Sequence, residues 1–168
     1  MKKSRKVFLT VFCIFTICGC SSKADTNEEL TPVVNKTATG EIIPSYTRDI
    51  TPGKKIEISA SRLIEKMDSK DEFVVVFTLT NCSKCQLFKE MFENYKMIHH
   101  VELFDVVLDK EEDATAATEK IQKYFTDFED TPSIFYVKNG MVIQGNSSSF
   151  SEDGFDEWIQ INQLDKAD

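Results

Sequence analysis

The chain has 168 residues, of which 41% are hydrophobic and 29% charged, and its formal net charge is −8. This length fits one folded domain of about 110 residues plus a tether, which is long enough to bury a hydrophobic core. The acidic balance excludes a basic nucleic-acid-binding surface, so no nucleic-acid partner is expected. It also argues against binding of the domain's own side chains to an anionic membrane.

The first 19 residues are organised like a secretory targeting segment. An apolar stretch at 7–17, too short to span a membrane, follows four basic residues: Lys2, Lys3, Arg5 and Lys6. The stretch runs into Ile17-Cys18-Gly19-Cys20, which resembles the lipobox of bacterial lipoproteins. The resemblance implies a signal peptide at 1–19 and lipidation of Cys20. An ordinary secretory signal and an uncleaved anchor stay open as alternatives.

Residues 20–55 are predicted to form a flexible, lipid-anchored spacer. They are rich in Ser, Thr, Asn, Lys and Glu, contain Pro32, Pro44 and Pro52, and keep no helical or strand period. Their last part, 46–55, could add a strand to the edge of the domain, which is predicted to occupy 56–168. Loss of the four basic residues of 1–19, which holds no acidic ones, changes the net charge from −8 to −12.

The first half of the domain alternates strand and helix patterns. Ile56 and Ile58 suggest a short strand before a helix capped by Ser59 or Ser61. A continuous apolar run at 73–79 predicts a central strand buried on both faces. A helix over 83–97 and a strand at 101–108 follow. Because a helical crossover joins these two strands, we expect them to be parallel.

The second half predicts a helix, a hairpin and a last helix. Asp113 or Thr115 opens the first helix, whose apolar face is expected to include Tyr124. Strands at 133–137 and 141–143 flank Asn139-Gly140, a strong signal for a type I′ turn, and Gly145 is expected in a turn or bulge. Ser151 caps the last helix. The predicted fold class is α/β: a central mixed sheet of parallel strands plus a C-terminal antiparallel hairpin, flanked by helices.

Cys82-Ser83-Lys84-Cys85 lies between the central strand and the helix after it. Free N–H groups and the dipole of a first helical turn stabilise a thiolate, to which Lys84 in the active-site loop can add. Cys82 lies nearer the helix start and is the candidate nucleophile, while Cys85 is the candidate resolving thiol. The spacing lets the two sulfurs close a disulfide, Cys82–Cys85.

The strand, the CxxC, the helix and a later Thr131-Pro132 resemble the thioredoxin-like thiol–disulfide oxidoreductases over about 56–164. The resemblance implies a thioredoxin-like fold, a cis bond before Pro132, and a substrate-binding role for Thr131 and Pro132 beside the cysteines. Two positions depart from the thioredoxin pattern, because Asn81 replaces a Trp and Val76 replaces a buried Asp.

The departure at Val76 leaves the proton route of the resolving cysteine unassigned. Water and the two acids before Thr131, Glu129 and Asp130, are the candidates. Solvated loop acids are the simpler interpretation of both carboxylates.

These features together predict a membrane-tethered, extracytoplasmic enzyme that exchanges disulfides with cysteine-containing protein substrates. The chain is most similar in organisation to small thioredoxin-like lipoproteins of Gram-positive bacteria, including those that accompany bacteriocin export. The resemblance implies attachment to the outer face of the cell membrane through the N-terminal lipid. We expect a membrane or extracellular redox partner, a monomer and no cofactor.

Two other functions use the same residues. The chain could be a thioredoxin-fold binding module with an inert or structural disulfide, although so small a loop gains little from closure. It could also be a metallochaperone, but zinc needs two more ligands and the adjacent His99 and His100 should point apart. We therefore expect no metal site and predict that these histidines cap the end of the active helix.

Overall fold

The computed structural model describes residues 35–36, 40, 42–43, 45–147 and 150–168. The predicted signal peptide, the lipidation site Cys20 and much of the predicted spacer lie outside these residues. Strands β1 (Asn35–Lys36) and β2 (Ile42–Ile43) pair antiparallel. Within the described ranges, no helix has the length and apolar character needed to cross a membrane.

Within the same ranges, a mixed sheet of five strands has helices on both faces. Its strands, in the spatial order β3-β5-β4-β6-β7, are β3 (Lys54–Glu57), β4 (Phe73–Thr78), β5 (Glu102–Val107), β6 (Ser133–Lys138) and β7 (Met141–Asn146). The helices are α1 (Ala60–Asp68), α2 (Ser83–Tyr95), α3 (Ala114–Gln122) and α4 (Glu152–Asn162). Strand β4 is parallel to β5 and antiparallel to β6. The predicted α/β class and element order are confirmed.

Strand β4 lies at the centre of the fold, and every one of its residues is buried. Side chains alternate along a strand, so Phe77 joins the apolar cluster of α1 and α3 while Val76 joins that of α2 and α4. Full burial of one such side chain contributes roughly 1.5–3 kcal/mol. A strand with apolar residues on both faces therefore needs a layer of helices on each side of the sheet to bury them.

Three of the four helices in the described chain begin at the kind of polar cap expected from the sequence. The side chains of Ser59, Asp113 and Ser151 each accept a hydrogen bond from a backbone N–H in the first turn of the helix that follows. Such caps satisfy N–H groups that have no partner inside the helix. Helix α2 is different, because a cysteine occupies its N-cap position.

Helix α3 is shorter than the apolar pattern suggests. It ends at Gln122, and Tyr124, predicted on the buried face, is 38% exposed. The buried residues beyond the helix, Phe125 and Phe128, come from turns and pack on Phe77 with ring centroids 5.0 and 4.7 Å away. Turns bring these rings to the core with a spacing that resembles a helical period, which explains the error.

The hairpin between β6 and β7 has its predicted turn, since Asn139 and Gly140 both have positive φ. Strand β7 extends beyond the predicted 141–143 to Asn146, and a register shift leaves Ile143 without a Cα partner in β6. Gly145 is within the strand rather than at the irregularity. A Cβ there would lie 2.4 Å from the ring of Phe135, so the residue is small to make room for that ring.

The folded unit begins before residue 56. Segment 47–49 pairs with the C-terminal residues: the Asp49 N–H donates to the Asp165 carbonyl at 2.7 Å, and the Ala167 N–H donates to the Thr47 carbonyl at 3.0 Å. The edge strand β3 spans 54–57, so it overlaps the end of the 46–55 segment and the start of the short strand predicted at Ile56 and Ile58. Residues before the predicted start at 56 therefore contact the domain, through long-range bonds that leave no local pattern in the sequence.

Arg48 is the centre of a polar cluster that holds this segment in place. Its Nε lies 2.6 Å from the Asp165 carboxylate, and its Nη2 lies 2.5 Å from Asp156 and 2.8 Å from the hydroxyl of Tyr95. The imidazole Nδ1 of His99 is 2.9 Å from the same Nη2, and the ring stacks on Tyr95 with centroids 4.1 Å apart. His99 is therefore part of this Arg48 cluster, and its predicted role as a helix cap is wrong.

The Arg48 cluster also changes the acidity of its members. Burial alone would raise the pKa of Asp156, but the hydrogen bonds from Arg48 and Tyr95 outweigh burial and hold that pKa below its usual value. Burial and the bond to Asp156 raise the pKa of Tyr95. Because the folded pKa of Asp156 is lowered, its contribution to stability is present above the unfolded value of about 3.9 and is lost as the pH falls through the folded value.

Replacement of Arg48 tests whether the cluster stabilises the domain. We expect Arg48→Ala to lower the free energy of unfolding by about 3 kcal/mol, because the buried carboxylate of Asp165 loses its cation. The matched control is Arg62→Ala, which removes an exposed pair with Glu65 and should cost less than about 1 kcal/mol. Urea unfolding measures both, and equal losses in the two variants would contradict a stabilising cluster.

Candidate active site

Cys82 and Cys85 form a disulfide at the C-terminal end of the central strand. Their Cα atoms are 5.1 Å apart. The loop after β4 positions Cys82, and the first turn of α2 carries Cys85. Cys85 is fully buried whereas Cys82 is partly exposed. A partner thiol can therefore approach the disulfide from the side of Cys82.

The sulfur of Cys82 occupies the N-cap site of α2. Its Sγ is 3.1 Å from the backbone N–H of Cys85, which points at it. Ser or Asp oxygens usually take this place in a helix. After reduction, the same N–H and the helix dipole would stabilise a thiolate on Cys82. The local geometry agrees with the division of roles expected between the two cysteines.

The Thr131–Pro132 segment lies beside the disulfide. The peptide bond between the two residues is cis, as expected. The carbonyl oxygen of Thr131 is 3.8 Å from the Cys82 Sγ, and its hydroxyl is 3.9 Å away. Pro132 is buried at the start of β6, while Thr131 is partly exposed. The structure thus brings the predicted substrate-binding residues to the predicted nucleophile.

The acids next to this segment have different surroundings. Asp130 is exposed, and its carboxylate accepts the backbone N–H of Thr131 at 2.7 Å. Its carbonyl also accepts a hydrogen bond from the hydroxyl of Ser133. Glu129 is exposed as well. Asp130 therefore fixes the conformation of the Thr131 loop.

Asp109 fixes the loop that precedes the cysteines, as Asp130 fixes the Thr131 loop. Its carboxylate accepts the backbone N–H of Thr80 at 2.9 and 3.1 Å and the Thr80 hydroxyl at 3.1 Å. These bonds, that from the backbone N–H above all, hold the pKa of Asp109 below its usual value. The side chain of Gln86 donates to the Thr80 carbonyl at 3.4 Å. Sequence analysis missed Asp109, although it follows β5, whose C-terminal end lies beside that of β4.

A third acid, Asp105, is buried beneath the active helix. Its register partner in β4 is Val76, so it faces the same side of the sheet. It accepts a hydrogen bond from Thr78 at 2.6 Å and lies 3.0 Å from the ammonium group of Lys89. Lys89 follows Cys85 by four residues and shares its helix face. This side of the sheet therefore has a buried acid on the strand next to Val76, which sequence analysis also missed.

The remaining predicted residues are exposed or far from the disulfide. Ser83 and Lys84 are exposed in the first turn of α2. His99 belongs to the Arg48 cluster, and His100 contacts Thr51 at 3.0 Å, both beyond the other end of α2. Among the described residues, no group of three or more His, Cys, Asp or Glu side chains is arranged to hold a metal ion.

Comparison with solved structures places this arrangement in a known fold. A mutant thioredoxin from Halobacterium salinarum superposes with a TM-score of 0.51 at 12% identity, covering 70% of this chain and 96% of that one. The thioredoxin of Malassezia sympodialis gives 0.50 at 17% identity, covering 72% and 99%.

Sequence comparisons give no match, either to a protein-family model or to a curated protein. The likeness therefore rests on structure, at identities that show a common fold and no more. From the order of its strands, the position of its CxxC and these two superpositions, the chain has a thioredoxin-like fold.

Proposed function

We propose that the protein is a thiol–disulfide oxidoreductase acting on cysteine-containing protein substrates. The observation that carries the proposal is the position of the Cys82 sulfur. Cys82 is partly exposed, and its sulfur accepts the Cys85 N–H at 3.1 Å, is bonded to Cys85, and lies 3.8 Å from the Thr131 carbonyl. A structural staple needs neither the exposed sulfur nor the adjoining backbone of Thr131.

The exchange proceeds in two displacements. The Cys82 thiolate attacks one sulfur of a substrate disulfide, whose S–S bond breaks, giving a mixed disulfide and a substrate thiolate. The Cys85 thiolate then attacks the Cys82 Sγ, the Cys82–Cys85 bond forms, and the second substrate thiolate leaves. Two electrons pass from the cysteine pair to the substrate, and the reverse sequence oxidises a substrate dithiol.

Thr131 and Pro132 supply the substrate-binding surface in this proposal. The Thr131 backbone borders the sulfur that forms the mixed disulfide, so an extended substrate segment can pair with it there. Asp130 supports this role, because its contacts to Thr131 and Ser133 hold the loop beside Cys82. Ser83 and Lys84 form the exposed rim on the helix side.

We also propose that the protein is an extracytoplasmic lipoprotein, anchored to the outer face of the cell membrane through Cys20. The support is the order of basic residues, short apolar stretch and lipobox-like segment at 1–20. A CxxC domain behind such a segment resembles small thioredoxin-like lipoproteins of Gram-positive bacteria, including bacteriocin-accessory types. A redox partner in the membrane or outside the cell would reset the pair.

The anchor makes a direct prediction about the mature N-terminus. Mass spectrometry of the protein from its native membrane should show diacylated Cys20 as the first residue. The change Cys20→Ala should prevent acylation and move the protein out of the membrane fraction. Cys18→Ala is the matched control and should leave both properties unchanged. A mature N-terminus that is unmodified, or that lies elsewhere, would refute the anchor.

The division of roles between the cysteines predicts different behaviour of the two single variants. Cys85→Ala should accumulate substrates bound covalently to Cys82, because the thiol that releases them is absent. Cys82→Ala should give neither exchange nor adducts, because the buried Cys85 cannot reach a substrate. Non-reducing gels and mass spectrometry of the adducts provide the measurement.

The other two functions predict different results from the same variants. An inert disulfide in a binding module predicts that both variants lose stability alike and trap nothing. A metallochaperone predicts equal loss of metal binding and again no adducts. Adduct-free, indistinguishable variants would therefore overturn the proposed exchange activity.

A further inference from the structure

The N-terminal segment joins the domain at the end of α2 that lies farthest from the disulfide. Arg48 contacts Tyr95, the last residue of α2, whereas Cys82 caps the first turn. Helix α2 has 13 residues, and at a rise of 1.5 Å per residue it separates the two ends by about 20 Å. Segment 47–49 therefore packs on the side of the domain away from the reactive sulfur.

Three large apolar side chains are exposed at this same end. Ile50 is 73% exposed, Met97 59% and Ile98 62%. They lie on two adjacent loops that are joined by two hydrogen bonds. The Gly53 N–H donates to the Lys96 carbonyl at 2.7 Å, and the His100 N–H donates to the Asp49 carbonyl at 3.0 Å. Single exposed apolar residues are ordinary, but several on neighbouring loops mark an interaction surface. We call Ile50, Met97 and Ile98 the apolar end.

The local charge around the apolar end is closer to neutral than the acidic net charge of the whole chain, which makes contact with a membrane less unfavourable there. Segments 49–55 and 93–102 together contain three lysines and three carboxylates, so they carry no net charge with neutral histidines. Two of the three carboxylates are also paired with lysines, Glu102 with Lys54 and Glu93 with Lys55 and Lys96, while Asp49 accepts hydrogen bonds from Thr51. The overall acidity that argues against membrane contact is therefore located elsewhere, and this end does not repel an anionic surface.

We propose that the apolar end rests on the lipid bilayer and holds the domain with its disulfide facing away from the membrane. The inference depends on the proposed lipid anchor, because the acyl chains would supply most of the affinity and the apolar end would select the orientation. Ile50 lies two residues after Arg48, so the surface is continuous with the segment that leads to the anchor. Apolar side chains of peripheral proteins enter the boundary between headgroups and acyl chains to a depth of about 5–10 Å.

The consequence concerns which substrates can reach the site. With the apolar end on the bilayer, Cys82 and the Thr131 loop face outward at about the length of α2 from the lipid surface. Chains that have emerged from the membrane or diffuse outside it can then approach the disulfide. A site facing the bilayer would instead meet residues close to the membrane surface.

A depth measurement on the acylated, full-length mature protein tests the proposal. In a Cys82→Ala, Cys85→Ala background, an environment-sensitive fluorophore is attached at Ile98→Cys or at Leu87→Cys. Leu87 is a matched control, since it is 67% exposed on α2 near the disulfide. The protein is reconstituted in phosphatidylcholine–phosphatidylglycerol vesicles with a nitroxide-labelled lipid. Met97→Cys repeats the measurement at a second position of the apolar end.

We expect the nitroxide lipid to quench the fluorophore at positions 97 and 98 severalfold more strongly than at position 87. Equal quenching at the two ends, or stronger quenching at position 87, would overturn the proposal. The mass of the N-terminal peptide from the same sample separates the two claims. Weak quenching of an acylated chain rejects the membrane-facing end alone, whereas an unacylated N-terminus rejects the anchor and this inference with it.

Discussion

The burial of β4 on both faces is the constraint on which the rest of the structure depends. All six of its residues are buried, so helices must cover the sheet on each side. Only the two ends of β4 are then left uncovered by helices, and at its C-terminal end the chain turns into α2. Cys82 lies at that turn, where the first N–H groups of α2 have no partner within the helix. The position of the reactive sulfur follows from the packing of the strand before it.

Carboxylates around this turn hold the segments that carry the chemistry. Asp109 binds the backbone of Thr80 on one side of the disulfide, and Asp130 binds the backbone of Thr131 on the other. Asp105 joins β5 to β4 through Thr78 and to α2 through Lys89. Each acid accepts a hydrogen bond from a backbone or side-chain group near this end of the sheet. Three carboxylates thus hold the parts of the site together: Asp105 in β5, Asp109 just after β5, and Asp130 just before β6.

The hydrophobic pattern predicted the order of the elements and the location of the disulfide, because those features depend on local spacing. The run at 73–79 and the CxxC after it sufficed to predict the central strand, the start of α2 and which cysteine is the more exposed. Features set by long-range contacts were missed or misassigned. The pattern predicts a buried Tyr124 because the turns at 123–128 imitate a helical period, and it predicts a helix cap at His99, which packs in the Arg48 cluster. Asp105 and Asp109 have no local signal, because their hydrogen-bond donors Thr78 and Thr80 precede them by 27 and 29 residues in the chain.

The reduction potential of the Cys82–Cys85 disulfide decides whether the pair is exchangeable or structural. The purified protein would be equilibrated with glutathione buffers of known poise, and the fraction of reduced cysteine pair measured by mass after thiol trapping. We expect reversible exchange with a potential between about −270 and −120 mV, the range from thioredoxin to the strongest protein oxidants. A pair that stays oxidised throughout, with a potential below about −300 mV, would be a structural disulfide and would rule out the proposed exchange activity.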